Sequence, residues 1–298
     1  MDRPATRQNL SAGLASVSVA LILVALKLWA VVETRSLSIA ASLADSSLDL
    51  LVSLGGLAAI LYAARPPDED HAFGHTSVED LTALGQSTFI LMSAALIAWN
   101  GFGRLFGPKS HDLAAQEGGI AVMLVSIVLT IGLVLWQRRV VRQTGSKVVA
   151  ADSVHYIGDL IPNIGAIVSL WVSARYGLGQ VDSIVAIASA AVMTFGAIRI
   201  GRDAWNALMD RRADPALIDA IAAITRACPG VRGFHDLKTR TSGSRVFVNL
   251  HIELDGAQSL QEAHAIGASL KRAITQRYPL ADVIIHKDVA DEAEQPRS

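Results

Sequence analysis

Six long apolar runs, roughly residues 10–32, 38–64, 80–104, 118–137, 148–174 and 181–203, constrain this chain more than any other feature. A bilayer core about 30 Å thick is crossed by about 20 apolar residues of helix. Inside lipid, only helices and closed barrels satisfy every backbone hydrogen bond. The runs are too long and too continuous for barrel strands, so they predict six transmembrane helices. Charge is scarce where they lie: residues 10–64 hold only Lys27, Glu33, Arg35, Asp45 and Asp49. Over the whole chain 18% of residues are charged, against about 25% in soluble domains. That excludes a disordered chain and argues against a single soluble domain. Two arginines precede the first run, as in a signal peptide, but the run continues to about Val32 and reads as a retained span.

Lysine and arginine orient the spans. One side collects Arg3, Arg7, Arg65, Arg138, Arg139, Arg142, Lys147, Arg199, Arg202, Arg211 and Arg212; the other has Arg35, Arg104, Lys109 and Arg175. The first side reads as cytoplasmic and holds both termini. The expected organisation is a cytoplasmic N-terminus (1–9), a six-helix transmembrane domain (10–207), a cytoplasmic domain (208–290) and a frayed tail (291–298). Within the third part, residues 214–227 predict an amphipathic helix capped by Asp214, with Pro215 in its first turn. Residues 231–241 and 244–254 alternate like strands about Ser242–Gly243, residues 259–277 are helical, and 281–287 form a short strand. The order αββαβ predicts a small α+β sandwich. The single cysteine, Cys228, excludes an intrachain disulfide or thiolate cluster and reads as a small core residue. A net charge of −1 gives no general attraction to nucleic acid.

Ionisable groups inside spans are costly and mark a site by default. Asp45 and Asp49 in the second span, and His155 and Asp159 in the fifth, are each spaced i, i+4, so each pair shares a helix face. At about 1.5 Å per residue, Asp49 lies about 16 Å below one surface and Asp159 about 16 Å above the other. The two pairs meet near the midplane. Three carboxylates and an imidazole make a four-ligand O/N site that suits zinc and accepts other divalent first-row ions or cadmium. Three carboxylates in low dielectric do not all stay ionised without a cation. A site that holds metal or protons, but not both, is the physical basis of metal/proton exchange. An imidazole, with its ordinary value of about 6.5, releases a proton on metal binding near neutral pH. Lys27 is a lone charge that either snorkels or pairs with a carboxylate. Asp152, one turn before His155, belongs by position to the start of the helix or the entrance rather than to the ion's ligands.

The remaining histidines cluster. Asp68, His71 and His75 lie in a short acidic loop between spans two and three and form a plausible surface metal site. His235 and His251 fall on the two hairpin strands, His264 on the second helix, and His286 with Asp288 on the last strand; such residues can converge on metal. His111, in an outer loop, has no assigned role.

The ordered set of Asp45-x-x-x-Asp49, RPPDEDHAFGH (65–75), His155-x-x-x-Asp159, LMDRRAD (208–214), HDLKTR (235–240) and DVIIHKD (282–288) resembles the cation diffusion facilitators, in particular their bacterial ferrous-iron/zinc efflux branch. The resemblance covers nearly the whole chain. It implies a homodimer in the inner membrane, with a metallochaperone-like cytoplasmic domain and outward metal exchanged for inward protons. It implies Asp45, Asp49, His155 and Asp159 as transport ligands, and Asp68, His71 and His75 as a loop site. His235, His251, His286 and Asp288 correspond to a binuclear site that stabilises the dimer and senses cytoplasmic metal, with His264 a further ligand at the dimer interface. One departure stands out: where relatives read GHGKAE this chain has GHTSVE (74–79), so Ser77 replaces a lysine that pairs across the dimer with the aspartate matching Asp210.

The expected function is therefore efflux of Zn²⁺, or of Fe²⁺, Cd²⁺, Co²⁺ or Mn²⁺, by proton antiport. Zn²⁺ also serves as a structural or regulatory ion, and the partners are a second copy, the bilayer and protons. No G-x-x-x-x-G-K-[ST] run is present to bind ATP. A membrane-anchored metal sensor or scaffold that binds without transporting is the alternative; a metalloenzyme is disfavoured because the sequence has no H-E-x-x-H motif and no nucleophile beside the histidines.

Overall fold

The computed structural model describes residues 3–34, 37–106, 117–176 and 181–290. Arg3–Trp205 form one compact unit, and the chain from Asn206 onward forms another. His111 and the expected frayed tail 291–298 lie outside the described residues.

The first unit holds α1 (Arg3–Thr34), α2 (Leu37–Ala63), α3 (Ser77–Phe106), α4 (Glu117–Thr144), α5 (Lys147–Tyr176) and α6 (Val181–Leu208). Five of these, α1, α2, α3, α4 and α6, are long and apolar enough to cross a membrane. The remaining helix, α5, is 30 residues long and carries Asp152, His155 and Asp159. The helices outrun the apolar runs. α1 starts at Arg3, inside the segment expected as an N-terminal extension, and α4 continues past 137 through Arg138, Arg139 and Arg142 to Thr144. Hydropathy marks the lipid-facing stretch, whereas the i to i−4 hydrogen bonds continue through polar turns beyond it. α1 packs along α2 and α4, α4 along α5, and α3 against α2 and α5. Small residues let α6 approach α5: a methyl on Gly158 would run into the Met193 side chain, and one on Gly196 into Val154.

The second unit holds α7 (Pro215–Arg226), β1 (Gly233–Ser242), β2 (Arg245–Leu254), α8 (Leu260–Arg277) and β3 (Ala281–Val289). Asp214 caps α7 by accepting from the Ala216 N–H at 2.8 Å. Ser259 and Glu262 close a reciprocal capping box on α8. The sheet order is β1-β2-β3, with β1 antiparallel and β3 parallel to β2. The hairpin turn is Gly243–Ser244 rather than Ser242–Gly243, because Ser242 still pairs with Arg245, and Gly243 takes the positive φ (53°) that the reversal needs. β3 extends two residues beyond its expected end to Val289, pairing there with Leu254.

Alternation along β2 divides the sheet into two faces. Val248, Leu250, Ile252 and Leu254 are buried with Val283 of β3, Ile221 of α7 and Leu270 and Ile274 of α8. The opposite phase carries His251 and Glu253. Cys228 packs at the margin of this core, and burial pushes its thiol pKa up.

Candidate metal centres

α2 carries Asp45 and Asp49, and α5 carries His155 and Asp159. The structure brings three of the four together. His155 Nε2 lies 3.0 Å from Asp49 Oδ1 and 3.9 Å from Asp159 Oδ2. One ligand atom from each of Asp49, His155 and Asp159 falls within 4.8 Å of the others. The imidazole is buried, flanked by the rings of Phe89 at 6.0 Å and Tyr156 at 5.8 Å. Among the described residues, Asp159 Oδ2 and His155 Nδ1 are buried without a hydrogen-bond partner. Buried polar atoms ordinarily find partners, so a carboxylate oxygen left open beside another carboxylate and an imidazole is a donor set for a cation. Asp45, one turn from Asp49, is exposed on α2 and stands outside this group. Lys27 of α1 also reaches this level, its Nζ donating to Ser46 Oγ at 2.6 Å.

Asp152 is neither a ligand of this group nor an open entrance residue. It is buried, and its Oδ2 accepts from Ser16 Oγ of α1 (2.5 Å) and Gln137 Nε2 of α4 (2.7 Å). Ser16 Oγ continues to Ser53 Oγ (2.8 Å), and that to the Tyr156 hydroxyl (3.0 Å). A polar chain thus ties four helices together beside the ion ligands. At the beginning of α5, Lys147 pairs with the buried Asp80 of α3 at 2.6 Å.

The loop group is also assembled. Asp68 Oδ1 accepts from the His71 backbone N–H at 2.7 Å and lies 3.0 Å from His71 Nδ1. Asp68 Oδ2 lies 3.1 Å from His75 Nε2. The two imidazoles stand 4.6 Å apart, and the edge of the His75 ring meets Tyr62. The His71 backbone hydrogen bond, aided by its ring and by His75, holds the Asp68 carboxyl below its ordinary pKa.

In the second unit, register builds the site. His235 lies opposite His251 across the antiparallel pair, and His251 opposite His286 across the parallel pair, so three imidazoles form one row on the face away from the core. Ring centroids are 5.1 Å and 4.6 Å apart. Asp288, two residues beyond His286, returns to the same face. Its Oδ2 lies 2.8 Å from His251 Nδ1 and 3.4 Å from His235 Nε2, and its Oδ1 lies 3.1 Å from His286 Nε2. One ligand atom from each of His235, His251 and Asp288 falls within 4.8 Å of the others, and His286 borders the group through Asp288. Burial pushes the Asp288 carboxyl up, but the His251 hydrogen bond and the charges of His286, His251 and His235 outweigh it and leave its pKa lowered. His264 is exposed on α8 and outside the group.

Sequence reasoning missed Glu253. Its Oε1 lies 3.2 Å from His235 Nδ1, and Gly233 opposite leaves the space that its carboxylate fills. The signal was present, since Glu253 follows His251 by two residues and shares its face. Asp210, whose expected cross-dimer partner is Ser77 here, pairs within the chain with Arg240 Nη1 at 3.1 Å.

Comparison with known proteins follows the same division. Residues 13–209 match the cation efflux transmembrane domain, and residues 213–289 match the cytoplasmic domain of cation efflux proteins. The cation-efflux pump FieF of Serratia proteamaculans (strain 568) is 40% identical over 278 residues, covering 93% of this chain and 92% of its own. FieF of Yersinia pestis (strain Pestoides F) is 38% identical over 288 residues, covering 97% and 95%. Among solved structures, the zinc form of CzrB covers 30% of this chain and 100% of its own, at 32% identity and a TM-score of 0.27.

Proposed function

The chain belongs to the cation efflux family, the cation diffusion facilitators, and from that premise we propose that it exports Zn²⁺ in exchange for protons, with Fe²⁺, Cd²⁺, Co²⁺ or Mn²⁺ as further substrates. It works as a homodimer in the bacterial inner membrane with both termini cytoplasmic. Metal cation efflux is common to the relatives it matches over nearly its full length.

The observation that carries the reading is the meeting of Asp49 from one helix with His155 and Asp159 from another inside the first unit. Oxygen and nitrogen donors at this spacing bind a small divalent ion, and zinc accepts them in tetrahedral array. Asp45 is assigned as the fourth ligand, reaching the ion when α2 shifts against α5. Carboxylates gathered in low dielectric hold either the ion or protons. Protons that reach the site from the outer face therefore displace the metal outward, and metal arriving from the cytoplasm displaces the protons inward. Alternating access needs only that the two helices present this group first to one side and then to the other.

The other two groups hold metal without passing it on. Asp68, His71 and His75 form a surface site. His235, His251, His286 and Asp288 supply nitrogen and oxygen donors from three strands, with Glu253 at the margin and His264 contributing at the dimer interface. A divalent ion there would cross-link the sheet and stabilise the dimer.

Zinc uptake into proteoliposomes tests the assignment. Asp49→Ala is expected to abolish uptake while the protein stays folded and dimeric. Uptake by this variant at the wild-type rate would overturn the central site. A sensor that binds without transporting would instead show no uptake in the wild type, and its metal response would survive Asp49→Ala.

A further inference from the structure

Lys27 stands in α1 with no other basic residue between Arg7 and the end of the helix. An ammonium at that position is costly unless something compensates it. Its Nζ donates to Ser46 Oγ at 2.6 Å, and Ser46 is itself buried, 2% exposed, between Asp45 and Asp49 on α2. Ser46 follows Asp45 by one residue and precedes Asp49 by three, so the ammonium it holds stands within one helical turn of both carboxylates, and Asp49 leads on to His155 and Asp159 of the facing helix. A fixed cation therefore sits at the edge of a site built to bind a cation.

Charge balance gives this placement a meaning. Three carboxylates carry the charge of one divalent ion and one ammonium together. With the metal gone, the ammonium still offsets part of the negative charge that would otherwise rest in low dielectric. With the metal present, the same ammonium repels it.

We propose that Lys27 is a tethered counter-ion of the ion site: held by Ser46, it steadies the empty carboxylates and weakens their grip on metal, so that the ion is released. The proposal rests on the ion-site reading given above. It makes Lys27 an affinity-setting residue that touches no metal.

The test is zinc transport by the full chain in proteoliposomes, with KM and maximal rate measured separately. Lys27→Met keeps the length and removes the charge. It is expected to lower KM for zinc at least tenfold, because removing one unit of positive charge beside the site removes its repulsion of the ion, and to slow maximal uptake because release becomes harder. Lys27→Arg keeps the charge and is expected to hold KM near the wild-type value. Ser46→Ala, which frees the ammonium without removing it, is expected to fall between. An unchanged or raised KM in Lys27→Met would overturn the proposal, as would a Lys27→Arg protein that behaves like Lys27→Met. Should Lys27→Met fail to assemble, Lys27→Gln and Ser46→Ala carry the same comparison. Asp49→Ala runs alongside: if it is inactive while Lys27→Met keeps the wild-type KM, the counter-ion fails and the ion site stands. If Asp49→Ala transports normally, the ion site itself is wrong.

Discussion

One oxygen of Asp152 receives hydrogen bonds from α1 and α4 while the residue itself belongs to α5, and Ser16 extends the chain to Ser53 on α2. A buried donor that loses its acceptor costs about 1–3 kcal/mol. Asp152→Ala strands the Gln137 amide and leaves the Ser16 hydroxyl only Ser53 as a partner, so it is expected to destabilise the solubilised protein by about 1–3 kcal/mol. Asp152→Asn keeps an oxygen at Oδ2 to accept from Ser16 and Gln137, and puts its new amide where Oδ1 has no partner among the described residues; it is expected to melt closer to the wild type than Asp152→Ala does. Thermal unfolding of the two variants in detergent checks this, and equal melting temperatures for Ala and Asn would remove the network from the account. The pairing of His155 with Asp159 was legible because i, i+4 spacing puts both on one face of α5; the same spacing joined Asp45 to Asp49 on α2, yet Asp45 stands exposed outside the group. The place of Asp152 was not legible, because its environment comes from Ser16 and Gln137, far away in sequence and chemically unremarkable in it. Lys27 shares that problem: its charge was visible, but the serine that holds it was not.

Strand phase does for the sheet what helical spacing does for the spans. β2 reads apolar at 248, 250, 252 and 254, which places His251 and Glu253 on the other side without reference to any partner. Cross-strand register was the part the sequence hid. Between His235 and Lys238 the pairing slips, with Asp236 at φ 50°, and this irregularity changes which residues of β1 face the row. His235 lies on the near side of the slip and stays opposite His251. Removing it should therefore cost the second unit more than the first: His235→Ala is expected to weaken zinc binding by the second unit at least tenfold and to change the zinc uptake rate much less. A protein equally impaired in both would make this site obligatory for transport. The capping box of α8 supplies a pH-dependent mark on the same unit. The Ser259 backbone N–H, with its hydroxyl, holds the Glu262 carboxyl below its ordinary value of about 4.5. A lowered folded-state pKa contributes stability that is complete above the unfolded value and lost as pH falls through the folded one. Hydrogen exchange at the first turn of α8 should stay protected above the ordinary carboxyl value of about 4.5 and lose protection progressively as pH falls below it, and Glu262→Gln should flatten that dependence.

At the scale of the whole chain, the change in hydropathy after Arg212 separated the membrane part from the αββαβ part, because lipid and water demand different surfaces. The same signal misplaced the helix ends, since a helix does not stop where the lipid does. Under the proposed exchange, one group serves both sides of the membrane in turn, and coupling is then a property of the whole molecule. Asp49 and Asp159 converge on one imidazole, and an ion that leaves them must be replaced by other positive charge. If protons supply it, zinc moves opposite to the proton gradient. Zinc uptake into proteoliposomes should run faster when the lumen is more acidic than the bath, because protons then leave as zinc enters. Reversing the gradient should slow it, and an ionophore that equalises pH should bring the two conditions together. The difference should vanish in Asp159→Ala along with transport itself. A wild-type rate that ignores the direction of the gradient would mean that the carboxylates are balanced by something other than protons throughout the cycle, and exchange would have to be abandoned even with the ion site intact.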